Sequence, residues 1–333
     1  MDREQPQIVV TGAAGMIGSG VVRQLNDLGF DRLLLVDDLK VGEKWKNLLG
    51  KRFIDLISKH KLFDWLQEKG SGIDAVIHLG ACSDTVEPDA DYLLENNFRY
   101  SVRLAEWALN RNARFIYASS AATYGDGSLG FSDDEAAIEE LRPLNMYGYS
   151  KHLVDLWMKR QGVLKRVAGL KYFNVFGPNE YHKGRMASMV LKMTHKAKDE
   201  GVIGLFKSND PARFGDGEQC RDFIYLKDAV RMTCALLEPK FRNVGGIFNI
   251  GYGQTTTWNQ LASALFQALG KPARIDYVEM PPELSRQYQN YTCADMRKFH
   301  KIFSTEPQRI AMTPIEQSVR EYVCEYLLRN SRW

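Results

Sequence analysis

Cysteine is scarce in this sequence and has no pattern: five residues, Cys82, Cys220, Cys234, Cys293 and Cys324, odd in number and widely spaced, with no C-x-x-C pair. That excludes a disulfide-stapled scaffold and offers no zinc or dithiol motif, so the thiols are expected to be reduced. No apolar run approaches the ~18 residues of a membrane span, and Met1 to Pro6 lack the apolar core of a signal peptide. A cytoplasmic protein with no membrane partner is expected. Charge of one sign is missing too: 44 Lys and Arg stand against 41 Asp and Glu, a net charge of +3. The charges are interspersed and Trp45, Trp65, Trp107, Trp157, Trp258 and Trp333 are scattered, so neither a basic face nor an aromatic platform points to nucleic acid. The tryptophans are expected to pack. There is no internal repeat or low-complexity segment.

What is present is an ordinary soluble composition, 44% apolar and 26% charged over 333 residues, long enough for two domains or one large sheet. Short aliphatic or β-branched runs, Ile8 to Val10, Leu33 to Val36, Ala75 to Ile77, Phe115 to Tyr117 and Val167 to Phe173, alternate with stretches of helical spacing at 16–28, 96–111 and 150–161. Val21, Val22, Leu25 and Leu28 form one such face, and Leu104, Ala105, Ala108 and Leu109 another. This alternation predicts an α/β fold of the Rossmann type, a doubly wound parallel sheet covered on both faces. After about residue 175 the rhythm gives way to Gly-, Pro-, Asn- and Asp-rich loops at 177–185 and 207–222. A strand and helix return at 223–250. Helices are expected at 257–269 and 313–329, the latter opened by Thr313 as cap and Pro314 at the first helical position. The expected division is a dinucleotide-binding domain over 1–175, with return elements at about 223–250, and a smaller C-terminal substrate-binding lobe from 176–222 and 251–333.

The strongest local signal is Thr11-Gly12-Ala13-Ala14-Gly15-Met16-Ile17-Gly18, between the first strand and the first helix. In this G-x-x-G-x-x-G spacing Gly12 permits the tight turn, Gly15 lets the backbone approach a pyrophosphate, and Gly18 allows close packing of helix on strand. Asp37 follows Gly18 by 37 − 18 = 19 residues, at the end of the second strand, where an acid meets the adenosine ribose. The plainer alternative is a glycine-rich turn. Which dinucleotide binds is left open by charge: Asp37 and Asp38 repel a ribose 2′-phosphate, whereas Lys40 and Lys44 can neutralise one.

Tyr147-Gly148-Tyr149-Ser150-Lys151 gives Y-x-x-x-K, which on a helix sets Tyr147 and Lys151 one turn apart on one face. A nearby ammonium lowers the pKa of a phenol from ~10, so Tyr147 is expected to be a base near neutrality. Alone, the pattern arises by chance among 15 tyrosines. Ser119 and Ser120 close a predicted strand at the sheet edge where ligands bind, and a hydroxyl there can bond a substrate oxygen or simply make a turn.

Taken together, Gly12, Gly15, Gly18, Ser120, Tyr147 and Lys151 resemble the extended short-chain dehydrogenase/reductases, which include nucleotide-sugar epimerases and dehydratases. More narrowly, Val36 to Lys40, His78 to Ser83, Ser119 to Gly125, Tyr172 to Pro178 and His182-Lys183-Gly184-Arg185-Met186-Ala187-Ser188 are similar to the ADP-L-glycero-D-manno-heptose 6-epimerases. The similarity runs from about residue 7 to residue 328. It implies that Tyr147 is one acid/base and Lys183 the second, with Lys151 orienting the nicotinamide ribose. Two are chemically reasonable: inverting a secondary alcohol through a ketone returns hydride to the opposite face. At an exocyclic C6″, rotation about one bond carries the carbonyl oxygen to a different proton donor. Without the resemblance, Lys183 reads equally as a solvated loop lysine or a phosphate contact.

The resemblance further implies a cofactor site of Met16, Ile17, Asp37, Asp38, Lys44, Lys59, Leu79, Gly80, Ala81, Cys82, Ser83, Asn96, Lys151, Val175 and Lys183. The cofactor implied is NADP, with NAD also usable. Asn174, Arg185, Lys192, Phe206, Lys207, Ser208, Asn209, Arg221 and Tyr288 are implied around an ADP-heptose. Arg221 suits a diphosphate through its planar fork, or else pairs with Asp222 at the surface. Tyr288 contacts the diphosphate through its hydroxyl or packs. His78 reads as a core histidine and His182 as loop scaffolding. A homo-oligomer is implied, a pentamer being one form. Three departures stand out: Arg185 replaces a serine, Ser208 to Gln219 is longer, and Asp38 stands where asparagine is frequent, which weighs towards NAD. Another nucleotide-sugar epimerase or dehydratase is the second reading. A non-catalytic dinucleotide sensor is the third, disfavoured by the intact Ser120, Tyr147 and Lys151.

Overall fold

The structure, a computed structural model, describes residues 5–285 and 288–333; Met1 to Glu4, on which the expectation of no leader partly rests, lie outside the described residues. The chain divides into two units. The first comprises Met1–Gly125, Asp133–Tyr172 and Val230–Phe248, the second Asp126–Ser132, Phe173–Ala229 and Asn249–Trp333.

The first unit is built on a seven-stranded sheet: β1 (Gln7–Thr11), β2 (Leu33–Asp37), β3 (Asp55–Ser58), β4 (Ile73–His78), β5 (Arg114–Ser120), β6 (Val167–Tyr172) and β7 (Gly246–Ile250), in the order β7-β6-β5-β4-β1-β2-β3. Strands β1 to β6 pair in parallel, Val9 opposite both Leu34 and Val76. The order reverses between β1 and β4, the switch point at whose carboxyl end α/β sheets bind ligands. Leu33 to Val36 have no exposed surface, the continuous apolar run expected of a strand covered on both faces.

Helices α1 (Met16–Asp27), α2 (Leu62–Lys69), α3 (Tyr100–Asn110) and α4 (Met146–Arg160) cross between strands. Val21, Val22 and Leu25 of α1 are buried as their spacing predicts. Leu28 is not: it is the C-cap, and Gly29 at φ +87° turns the chain away, leaving Leu28 exposed. A π-helical turn, Leu94–Arg99, precedes α3 and carries Asn96 and Asn97; such bulges re-aim side chains.

In the second unit Asn174–Phe176 pairs in parallel with Phe223–Tyr225, and Ile203–Phe206 with Ile275–Val278. Around them lie α5 (Met189–Asp199), the first four residues of α6 (Leu226–Ala235), α7 (Trp258–Ala268) and α8 (Ile315–Glu321), with a core of Phe176, Met193, Phe266, Val319 and Tyr322 among others. Helix α7 opens with a capping box in which Thr257 and Gln260 satisfy each other's backbone N–H. The expected cap at Thr313 is not made. Pro314 takes the N-cap position of α8, and Thr313 donates its N–H and hydroxyl to the Asp228 carboxylate, at 2.8 and 3.1 Å. A charged acceptor on another element outcompetes the local cap. Among the described residues no helix is long and apolar enough to cross a membrane, and no cluster of three His, Cys, Asp or Glu is placed to hold a metal ion.

Candidate active site

The phosphate loop joins β1 to α1. Gly12 adopts φ +66°, and a Cβ there would lie 2.7 Å from the Gly80 backbone nitrogen, so the segments after β1 and β4 touch. A Cβ on Gly15 would stand 3.1 Å from the Gly12 carbonyl oxygen, in the space over the turn. Helix α1 begins with no side-chain cap and no acid in its first turn, so its positive end is not neutralised locally. Leu79 and Gly80 donate their N–H groups to the Thr11 carbonyl and hydroxyl, at 3.2 and 3.0 Å, which lays the Leu79 to Ser83 segment beside the loop.

At the far end of β2, the buried Asp37 carboxylate accepts the Ala14 N–H at 2.7 Å, the Asp38 N–H at 2.7 Å and the Lys44 ammonium at 2.5 Å. Lys59 donates to Asn96 at 2.7 Å and stands 3.9 Å from Asp38. Two acids thus meet two lysines. A glycine cradle at an uncapped helix start and a neutralised acid pair at the second strand have the chemistry that a nicotinamide dinucleotide needs: backbone N–H groups for a pyrophosphate and polar side chains for a ribose.

Ser120 ends β5 and Tyr147 lies in the first turn of α4, which Asn145 caps by accepting the Gly148 N–H at 2.8 Å. A Cβ on Gly148 would come within 2.8 Å of the Ala122 carbonyl oxygen, so glycine lets α4 approach the turn after Ser120. The Ser120 and Tyr147 side chains are hydrogen-bonded. The half-buried Tyr147 does not carry the lowered pKa expected from Lys151: burial pushes it up, and the bond from Ser120 pulls it partly back. The physical reason is desolvation of the phenolate. Lys151, almost wholly buried, is itself lowered to about 8 by burial, against the opposing pull of Asp155.

Beneath this set runs a polar network that spacing did not disclose. Asp155, one turn beyond Lys151, accepts from the Tyr117 hydroxyl at 2.9 Å and the Ser119 hydroxyl at 2.7 Å, with Lys171 at 3.8 Å; all four residues are buried. Asn97 donates to Ser150 at 3.0 Å and to the Cys82 carbonyl at 2.9 Å, and accepts the Cys82 N–H at 2.8 Å, which ties the π-turn to α4 and to the segment after β4. His78 is a core histidine as read, bridging Thr11 at 2.6 Å and Ser101 at 2.8 Å, and burial with the nearby Lys151 charge lowers it to about 3.

In the second unit Lys183 is half-buried on the turn Tyr181–Met186, broken at Gly184 by φ +52°; burial lowers its pKa, Glu180 raises it and Lys192 lowers it. Arg185 is exposed, and its carbonyl accepts from Lys192 at 2.6 Å. Val175 lies in the short strand, and exposed Asn174 donates through its amide to the Asp222 carbonyl at 2.9 Å. Arg221 does not turn to Asp222. Its guanidinium lies 4.9 Å from the Tyr288 ring centre and 5.9 Å from that of Trp258, while Asp222 accepts N–H groups from Tyr252, Gly253 and Ala294. Trp258, expected only to pack, donates its indole N–H to the Tyr288 hydroxyl at 2.9 Å, and Phe206 meets Tyr288 edge-on. Asn209 donates to the Ser285 carbonyl at 3.0 Å, the Ser208 N–H to Asp216 at 2.8 Å, and Lys207 pairs with Glu279 at 2.6 Å.

A parallel sheet with a glycine cradle at its switch point and a Ser–Tyr–Lys set at the end of the neighbouring strand defines a class of nicotinamide-dependent enzymes. The chain belongs to the NAD dependent epimerase/dehydratase family, whose model matches residues 8–251. It is 48% identical over 321 residues, 96% of this chain and 97% of the relative, to an ADP-L-glycero-D-manno-heptose-6-epimerase of Nitratidesulfovibrio vulgaris. A Fusobacterium nucleatum protein of the same name is 43% identical, with 98% and 99% covered. Among solved structures, the Helicobacter pylori ADP-L-glycero-D-manno-heptose-6-epimerase superposes with a TM-score of 0.78 at 25% identity, with 98% of each chain covered.

Proposed function

We propose that this chain is an isomerase that interconverts ADP-D-glycero-D-manno-heptose and ADP-L-glycero-D-manno-heptose at C6″, with NADP as its retained cofactor. The observation that carries this is the near-full-length identity to proteins of that name, joined to an intact Ser120, Tyr147 and Lys151 set and to Lys183 on its turn. When bound, the nicotinamide would supply the hydride acceptor and donor that inversion at C6″ requires. Tyr147 exchanges the C6″ hydroxyl proton at Oη, with Ser120 donating a hydrogen bond to the same oxygen. After rotation of the exocyclic carbonyl, Lys183 exchanges the proton at Nζ. Lys151 holds the nicotinamide ribose, and its positive charge favours the phenolate that burial disfavours. The Asp155 charge favours the protonated form of Lys151.

NADP is preferred in this reading because Lys44 and Lys59 cancel the charges of Asp37 and Asp38, leaving a 2′-phosphate no net repulsion. Asn174, Arg185, Lys192, Phe206 to Asn209, Arg221 and Tyr288 are assigned to the ADP-sugar. A cytoplasmic homo-oligomer supplying a precursor of lipopolysaccharide belongs to the same reading.

The test is incubation of the purified chain with ADP-D-glycero-D-manno-heptose, without added cofactor, followed by chromatographic separation of the C6″ epimers. Conversion is expected. No conversion by folded protein after addition of NADP and then NAD overturns the heptose assignment; turnover of UDP-galactose instead would identify another nucleotide-sugar enzyme.

A further inference from the structure

Three consecutive residues just ahead of Lys183 are tied to the C-terminal segment, all within the second unit. Asn179, fully buried at φ +69°, meets the Trp333 backbone with both ends of its amide: Nδ2 donates to the carbonyl and Oδ1 accepts the N–H, each at 2.9 Å. The Tyr181 hydroxyl lies 3.0 Å from the carbonyls of Tyr326 and Ser331, and the Arg332 guanidinium sits over its ring at 5.1 Å. Between them Glu180 has no exposed surface. Its carboxylate accepts the Ser188 N–H at 2.5 Å, the Ser188 hydroxyl at 2.6 Å and the Tyr322 hydroxyl at 2.8 Å.

A buried carboxylate held by the neutral donors of Ser188 and Tyr322 is a costly way to fasten a loop, since a neutral amide forms the same bonds without desolvating a charge. The charge therefore asks for a purpose beyond anchoring. Helix α5 already has its N-cap in Ser188, whose hydroxyl accepts the Leu191 N–H at 3.3 Å. The Lys183 N–H donates to the Glu180 carbonyl at 2.9 Å, one turn on, and the Glu180 charge acts on the Lys183 ammonium, opposing burial and Lys192. Tyr322 and Tyr181 also feel the Glu180 charge, and the Arg332 guanidinium lies over the Tyr181 ring.

We propose that Glu180 is the positioning residue of Lys183: braced by Ser188 and by Tyr322 of the C-terminal segment, it fixes the turn that presents the lysine and sets a negative charge at the head of that turn. This rests on Lys183 being the second proton donor. Removing that charge takes away an influence that favours the protonated lysine, whereas desolvation and Lys192 disfavour it.

The test compares pH profiles of epimerisation by the holoenzyme for the wild type, Glu180→Gln, Tyr322→Phe and Lys183→Met. Glutamine can keep all three bonds, its oxygen accepting the Ser188 N–H and its NH2 donating to the two hydroxyls, so the variant removes charge rather than the clamp. Glu180→Gln is expected to move one limb of the kcat profile down by about one pH unit, with KM and retained cofactor unchanged. Tyr322→Phe keeps the charge and loses one bond; kcat is expected to fall a few-fold with the profile in place. An unmoved profile in folded Glu180→Gln overturns the proposal. So does an unchanged kcat in Tyr322→Phe, which decides the matter if Glu180→Gln fails to fold. Lys183→Met separates the two readings: if it still epimerises, Lys183 is not the second donor and both fall; if it is inactive while Glu180→Gln is silent, only the role of Glu180 falls.

Discussion

Gly18 and Gly12 are in direct backbone contact across the phosphate loop, and a Cβ on Gly18 would stand 2.0 Å from the Gly12 carbonyl oxygen. Helix α1 cannot seat behind the loop if position 18 carries a side chain. Gly18→Ala is therefore expected to push α1 off β1, destabilising the chain by roughly 1–3 kcal/mol and emptying the cofactor cradle. Thermal unfolding, with the dinucleotide released per chain on denaturation, measures both. Full cofactor content with an unchanged midpoint would refute the close-contact account.

The charge balance at the adenosine ribose is tested by Lys44→Met. Lys44 touches Asp37 at 2.5 Å, and its removal leaves an uncompensated carboxylate where the 2′-phosphate is proposed to sit. The preference for NADP over NAD, measured as a ratio of dissociation constants from the stripped protein, is expected to fall at least about tenfold. Asp38→Asn is expected to move it the other way. An unchanged ratio in both would take the 2′-position away from these residues.

The glycine loop, its distant acid and the Y-x-x-x-K pair were legible because each is dictated by local geometry: a turn at φ +66°, an acid at the end of the neighbouring strand, two side chains on one helical face. The supporting network was not. Ser119 meets Asp155 across 36 positions, Asn97 meets Ser150 across 53, and no periodicity links them. Burial likewise reversed the expected direction of the Tyr147 shift, because desolvation depends on neighbours that spacing does not name. Trp258 carried a usable signal, standing just after the Thr257 of a capping box and so at a helix start, yet its partner Tyr288 is 30 positions on. Thr313 shows the converse: a correct local cue overridden by a distant carboxylate.

His78 gives a pH dependence of stability. Its folded pKa of about 3 lies below the ordinary 6.5, so the unfolded chain binds the extra proton between those values. Stability from this group is full above pH 6.5 and is lost as pH falls towards 3, at about 1.4 kcal/mol per pH unit. Urea unfolding from pH 6.5 to 5 should show that slope in the wild type and a shallower one in His78→Gln, which retains a donor and an acceptor for Thr11 and Ser101. Parallel slopes would mean that His78 accepts a proton without leaving its site.

Arg221 is held between Tyr288 and Trp258 with its own carbonyl-side bond to Cys220 at 2.9 Å, and no carboxylate of Asp222 competes for it. The arrangement keeps a planar cation oriented by aromatic faces, as the proposed diphosphate site requires. Lysine keeps the charge but neither stacks nor forks, so Arg221→Lys is expected to raise KM for the ADP-sugar by about 10-fold or more with kcat little changed, the pattern of lost uniform binding. Trp258→Phe keeps a ring and removes the bond to the Tyr288 hydroxyl; a rise of a few-fold in KM is expected. Steady-state kinetics on both variants decide the point, and an unaltered KM in Arg221→Lys would move the diphosphate to another part of the second unit.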